Sequence, residues 1–435
     1  MMIFATTQSS RLLYTLQFVC EEFGRTTYQI TSSEEKFIKY TEPKINYSNT
    51  PLCDDEIHIQ PSGLLTETSH RFFQPEVEKS TDKIVLFPSK KAFKNMYHFD
   101  ILSAVFYMLS RYEEYGNKTK DKWGRFPARA SLAYKNDFLH LPLVDGWLQD
   151  FFNHVITRYP LFNIDKKTTV SFTYDVDIAY AYKGRELTRQ AGSAMKDILR
   201  VNPYNLAQRT AVLAGYLEDP FDTYTYIKNE TINPVFFFLL SEKKTKYDRN
   251  INPKKEVLKN LITDIKTWSP VGIHPSFYSS EKEKKLTAEK KILEAMISDN
   301  IFKSRQHYLK FSVPQTYRLL LKNGITEDYS MSFAEAPGFR AGTCTPFYFF
   351  DVEKDEATSL KLYPACIMES TFRDDIVIPV TDVLPYFKQY FDEVNKVAGH
   401  FICIWHNDTL AANNKQHFRW LHQQILQYIR RDLMM

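Results

Sequence analysis

The chain has 435 residues, of which 43% are hydrophobic and 25% charged, and its formal net charge is +4. This is ordinary globular usage, and at roughly 150 residues per domain the length predicts two or three domains. The near balance of 56 basic and 52 acidic residues leaves no case for a nucleic-acid partner.

The first residues, Met-Met-Ile-Phe-Ala-Thr-Thr-Gln-Ser-Ser, lack a basic start and a long apolar stretch. Leu12, Leu13, Leu16, Val19 and Phe23 recur at helical spacing, which predicts an amphipathic helix in place of a signal peptide. No apolar run approaches about 18 residues, so no transmembrane segment is expected. The five cysteines, Cys20, Cys53, Cys344, Cys366 and Cys403, are scattered without a C-x-x-C pair. That spacing predicts buried thiols in a reducing compartment, and a cytoplasmic location is expected.

Residues 1–165 read as an N-terminal α+β domain of unknown role. Ile57, Ile59 and Ile84-Val-Leu-Phe are expected in short strands. Asp100 stands at an N-cap position before a helical run through Tyr115, which Gly116 and Asn117 end. Trp123-Gly-Arg-Phe-Pro reads as a turn, and His98, His140 and His154 as isolated surface or core histidines. No chemistry is expected in this part.

From Thr168 onward short apolar strands alternate with helical stretches. The predicted strands are Thr169–Tyr174, Pro234–Leu240, Pro270–His274, Ser304–Leu309, Gly338–Gly342, Ala365–Glu369 and His400–His406. Helices are predicted over Leu206–Leu217, Glu256–Trp268, Ala288–Ile297, Gln315–Lys322 and Val383–Val397. Such alternation implies a parallel sheet. About seven strands predict a distorted (β/α) barrel over residues 166–435, with its active site where the strands end.

Polar groups gather at those strand ends. Asp175 and Asp177 share one face of the first strand, about 6.6 Å apart along an ideal strand. Two neighbouring carboxylates repel unless a cation or a proton intervenes. His274, Arg305, His307 and His406 lie at the ends of three further strands. Imidazole with carboxylate suits Zn²⁺ or a similar first-row metal. A D-x-D pair is also a sugar-nucleotide signature, which leaves a glycosyltransferase as a rival reading. An assembly protein is a third.

These motifs, taken in order, resemble the polysaccharide deacetylase superfamily (NodB homology, carbohydrate esterase family 4). They are most similar to a branch common in Bacteroidetes with an extra N-terminal domain. The resemblance covers residues 168–410, and the run Asp100–Trp147 resembles the branch's N-terminal domain. It implies removal of an acetyl group from an N-acetylated sugar or cell-envelope glycan precursor, with one divalent metal, zinc by its ligands, and a carbohydrate substrate as partner. No protein partner is identifiable. Thr-Tyr-Asp-Val-Asp resembles the motif that supplies the general base and a metal ligand, which the resemblance assigns to Asp175 and Asp177. His274 matches the first metal histidine, whereas the second falls on Tyr278. Arg305 matches an orienting arginine and His406 the general acid. Gly338-Phe-Arg-Ala-Gly is typical of the branch, and Arg340 within it, with Trp405 and Tyr278, is expected on the substrate side. Loss of a histidine at 278 and its appearance at 307 predict that Asp177, His274 and His307 hold the metal. A non-catalytic member that binds carbohydrate without turnover is the alternative.

Overall fold

The computed structural model describes residues 1–433 apart from 68–70, 72, 81–82, 91–95, 187–202, 244 and 415. The apolar start of the chain forms a strand, β1 (Met2–Ala5), with all four side chains buried. It lies inside a four-stranded sheet with β2 (Gln29–Thr31), β3 (Lys44–Tyr47) and β4 (Ile57–Ile59). All neighbours in this sheet are parallel, in the order β2-β1-β3-β4. The predicted amphipathic helix runs over Ser10–Leu16 and continues as a π-helical segment, Gln17–Phe23. Ser9 caps it by accepting a hydrogen bond from the Leu12 N–H at 3.1 Å. β5 (Val77–Lys79) and β6 (Ile84–Leu86) form a separate antiparallel pair.

The helix expected from Asp100 to Tyr115 is interrupted. It runs over Ile101–Leu109, and a second piece spans Tyr112–Gly116. Between them Arg111 takes φ 52°, a left-handed conformation costly for a non-glycine residue. The buried Arg111 guanidinium donates to Glu113 at 2.7 Å and Glu114 at 2.8 Å. That buried ion cluster holds the turn open.

The second sheet has nine strands: β7 (Thr169–Val176), β8 (Val235–Phe238), β9 (Val271–Ile273), β10 (Lys303–Ser304), β11 (Glu327–Asp328), β12 (Phe347–Asp351), β13 (Glu356–Leu362), β14 (Ile367–Met368) and β15 (His400–His406). Their order is β12-β13-β11-β10-β9-β8-β7-β15-β14. Every neighbouring pair is parallel except β12 with β13. This is a mixed α/β fold built on parallel sheets. The ladder does not close into the predicted barrel among the described residues. The β12–β13 hairpin, which the sequence pattern did not single out, occupies the edge that closure needs, and β14 at the opposite edge is two residues long. Gly338–Gly342, expected as a strand, is a turn, and the strand expected over Ser304–Leu309 shrinks to Lys303–Ser304.

One buried apolar cluster runs from Ile3 to Ile429. Tyr14 and Phe106, from the two early helices, pack on Phe350 of β12 at 5.0 and 5.1 Å. Full burial of such side chains contributes about 1.5–3 kcal/mol each. The Tyr14 and Tyr115 hydroxyls donate to the Tyr348 and Phe350 carbonyls, satisfying hydrogen-bonding groups that an edge strand would otherwise leave open.

Candidate metal centre

The parallel strands of the large sheet all point their carboxyl ends to one side, and their apolar runs stop there in polar residues. β7 carries Asp175 and delivers Asp177 just beyond its end; β9 delivers His274; the segment after β10 delivers Arg305 and His307; β15 ends in His406. Gly272 in β9 lets its neighbours close in, because a Cβ there would lie 2.7 Å from the Phe237 ring and 2.8 Å from the Lys303 carbonyl.

Asp177, His274 and His307 meet. The two Nε2 atoms lie 3.2 and 3.3 Å from the two oxygens of Asp177, and one donor atom from each residue falls within 4.8 Å of the others. The Nδ1 atoms fix the ring states. His274 Nδ1 lies 2.6 Å from the Arg305 carbonyl, which can only accept, so Nδ1 carries the hydrogen. His307 Nδ1 donates to the Asp248 carboxylate at 3.1 Å. With Nδ1 committed in each ring, both Nε2 atoms face the Asp177 carboxylate, an arrangement that needs a cation or a proton between them. Burial alone would depress His307, but Asp177 and Asp248 push it up to about 9. Burial opposes the charge on Asp177 too, yet His307 and His274 hold it well below the usual carboxylate range. Asp177 Oδ1 is buried without a hydrogen-bond partner. Two imidazoles, one carboxylate with an orphaned oxygen and ring hydrogens tied to other acceptors fit a divalent ion of the zinc type.

Asp175 stands beside this trio. Its Oδ1 accepts from Arg305 Nη1 at 3.0 Å, and its Oδ2 lies 3.8 Å from His274 Nε2. Arg305 is fully buried, donates through Nε to the Tyr329 carbonyl at 3.0 Å, and stacks on Phe237 at 4.6 Å. On the other flank His406 Nδ1 donates to Glu369 at 2.9 Å, and its Nε2 lies 3.9 Å from Asp177. Burial works against its charge, but Glu369, Asp177 and Asp175 together push His406 up to about 10. That pairing with Glu369 favours the protonated ring.

A cavity of about 360 Å³ opens over these groups. Asp175, Asp177, His274, His307 and His406 all line it. The three residues expected on the substrate side do not. Trp405 is buried in the core, its indole N–H donating to Cys403 at 3.3 Å, because strand alternation turns it to the face opposite His406. Arg340 is buried in an ion pair with Glu114 and stacked on Phe311 at 4.1 Å. Tyr278 packs with Phe277 and Tyr247 away from the cavity.

Lys122, Trp123 and Arg125 line it instead, from the part of the chain where no chemistry was expected. Arg125 reaches across to the Tyr308 carbonyl at 2.9 Å, and the Trp123 ring lies 5.3 Å from that of Tyr308. Asp248 and Glu369, which orient His307 and His406, were also not singled out. Asp248 sits in a loop with no periodic signal; Glu369 closes a predicted apolar strand, the same mark that led to the histidines.

A family of unknown function, DUF7033, matches residues 1–160. No curated protein matches the chain. Among solved structures it is similar to a candidate polysaccharide deacetylase from Mycobacterium smegmatis, at 10% identity and TM-score 0.39 over 62% of this chain and 85% of that one. It is similar to Puue allantoinase at 11% identity and TM-score 0.39, over 61% and 85%. A polysaccharide deacetylase from Bacillus cereus aligns at 11% identity and TM-score 0.30, over 62% and 89%. At these scores the likenesses say nothing about substrate. No helix among the described residues is long and apolar enough to cross a membrane, and all five cysteines are free.

Proposed function

We propose that the chain is a metal-dependent hydrolase that removes an acetyl group from an N-acetylated sugar, with Asp177, His274 and His307 as metal ligands. The observation that carries this reading is the convergence of two imidazole Nε2 atoms and the Asp177 carboxylate at the floor of an open cavity. When bound, the ion would supply Lewis-acid polarisation of the acetyl carbonyl and of water.

The chain's own groups do the rest. Asp175, held in place by Arg305, takes the proton of the attacking water. The C–N bond of the amide breaks, and His406 Nε2 gives its proton to the departing nitrogen. Glu369 keeps that imidazole charged and fixes its tautomer. Acetate and a free amine leave. Trp123 and Tyr308 supply an aromatic wall suited to a sugar ring. In this reading residues 166–435 form the catalytic part, residues 1–165 complete its wall, and the unpaired thiols favour a reducing, cytoplasmic setting.

The test is metal analysis of the purified chain beside acetate release from N-acetylglucosamine compounds. Stoichiometric zinc and acetate release in the wild type, with both lost in Asp177→Asn, are expected. A protein that takes up no zinc when the ion is supplied overturns the reading; sugar binding that is lost in Trp123→Ala, with no acetate release by the wild type, would replace it by the non-catalytic one.

A further inference from the structure

The small sheet has its own site. Its chain path leaves β1 for β2 on one side, then crosses to β3 on the other side of β1 and moves on to β4. The connections that follow β1 and β3 therefore part in opposite directions. In open parallel sheets such a reversal leaves a crevice outside the carboxyl ends of the strands, where ligands bind. A cavity of about 360 Å³, as large as the one over the histidines, lies there, lined from the loops after β1, β3 and β4. The two cavities share no lining residue.

The chemistry of the wall is distinctive. Thr6, Thr7, Asn49 and Thr50 present neutral hydroxyl and amide groups, while the Ser62 and Thr66 hydroxyls, which donate to Ser103 and to the Gly63 carbonyl, can only accept from a ligand. Among the described residues no lysine or arginine lines the cavity, and Glu34, at the start of the helix after β2, is the charged member. An anionic ligand would meet a carboxylate with no cation to balance it. A neutral ligand rich in hydroxyl groups would find donors and acceptors around its rim and a carboxylate able to accept from two neighbouring hydroxyls. The floor is braced: buried Asp100 accepts from the Tyr47 hydroxyl at 3.1 Å and the Ser62 N–H at 2.7 Å, tying the ends of β3 and β4 together. The ends of β3 and β4 are thus set before a ligand arrives.

We infer that this crevice is a binding site for an uncharged saccharide, separate from the metal centre. The inference rests on the crevice alone and survives if the hydrolase reading fails. The test is calorimetric titration of the full chain with cellobiose and with the disaccharide of N-acetylglucosamine. Variants are Glu34→Gln, Thr7→Trp to fill the crevice from an exposed loop position, and Trp123→Ala in the other cavity. Saccharide binding at least tenfold weaker in Glu34→Gln and Thr7→Trp, and retained in Trp123→Ala, is expected for at least one disaccharide. Three results overturn the inference: no saccharide binding by the wild type, binding abolished only by Trp123→Ala, or binding of adenosine in place of either sugar.

Discussion

Asp248 gives the sharpest test of the metal centre, because it touches no ion itself. Its carboxylate is buried and accepts from His307 Nδ1 at 3.1 Å, the Phe277 N–H at 2.9 Å and the Thr245 hydroxyl at 2.9 Å. The charge behind the ring raises the basicity of Nε2 and fixes the orientation in which it faces Asp177. Asp248→Asn keeps the shape and an acceptor oxygen but removes that charge. Loss of such a partner lowers metal affinity by about 10–100-fold, equivalent to about 1.4–2.7 kcal/mol. The isosteric change leaves the Phe277 N–H an acceptor but takes a charge away from a buried imidazole, so the metal-free protein should still fold and should unfold a few degrees below wild type, by the usual conversion of about 1 kcal/mol to a few degrees. Zinc affinity is read by competition with a chromophoric chelator, and metal-free stability by thermal unfolding in the presence of chelator. Equal zinc affinity of variant and wild type, within about twofold, refutes the assignment of His307 as a ligand braced by Asp248.

Three further outcomes follow from the geometry. Glu369→Gln removes the main charge that keeps His406 protonated, so the alkaline limb of the hydrolysis profile should move to lower pH; an unmoved limb removes His406 from the role of proton donor. His422 is buried between the Tyr174 and Tyr226 hydroxyls at 2.7 and 2.9 Å, and burial, reinforced by Arg419 and Arg430, pushes it down to about 3 from 6.5. Its unfolded form binds a proton that the folded form refuses, so stability present above pH 6.5 falls as pH drops toward 3, with about 2 kcal/mol gone by about pH 5. Urea unfolding should show this slope flattened in His422→Gln, and an unchanged slope assigns it to other groups. Gly272→Ala forces a methyl to within 2.7 Å of Phe237 and 2.8 Å of a backbone carbonyl. The overpacking should cost about 1–3 kcal/mol by denaturant unfolding, and a change inside the error of the fit shows that β8 and β9 can part without penalty.

What local pattern could determine, it determined. Asp175, Asp177, His274 and His406 stand where apolar runs stop, and a strand that leaves a core must end in groups that tolerate its rim, so their clustering was legible from residue order. The helix Gln315–Lys322 was legible for a similar reason, its apolar face repeating at helical spacing. Tertiary structure decided the rest. Whether a strand-end side chain faces the cavity depends on pleat and packing, which bury Trp405 beside an inward-facing His406. The carboxylates that orient the histidines come from a loop and a helix start, remote in sequence from the rings they hold, and hydrogen bonding across such distances leaves no periodic trace. The hairpin of β12 and β13 keeps the sheet open where strand counting predicts closure, since a count of strands carries no information about their neighbours. Trp123 and Arg125 join the cavity by meeting Tyr308, the ring of one at 5.3 Å and the guanidinium of the other on its carbonyl at 2.9 Å, contacts between distant parts of the chain that are legible only once both surfaces exist.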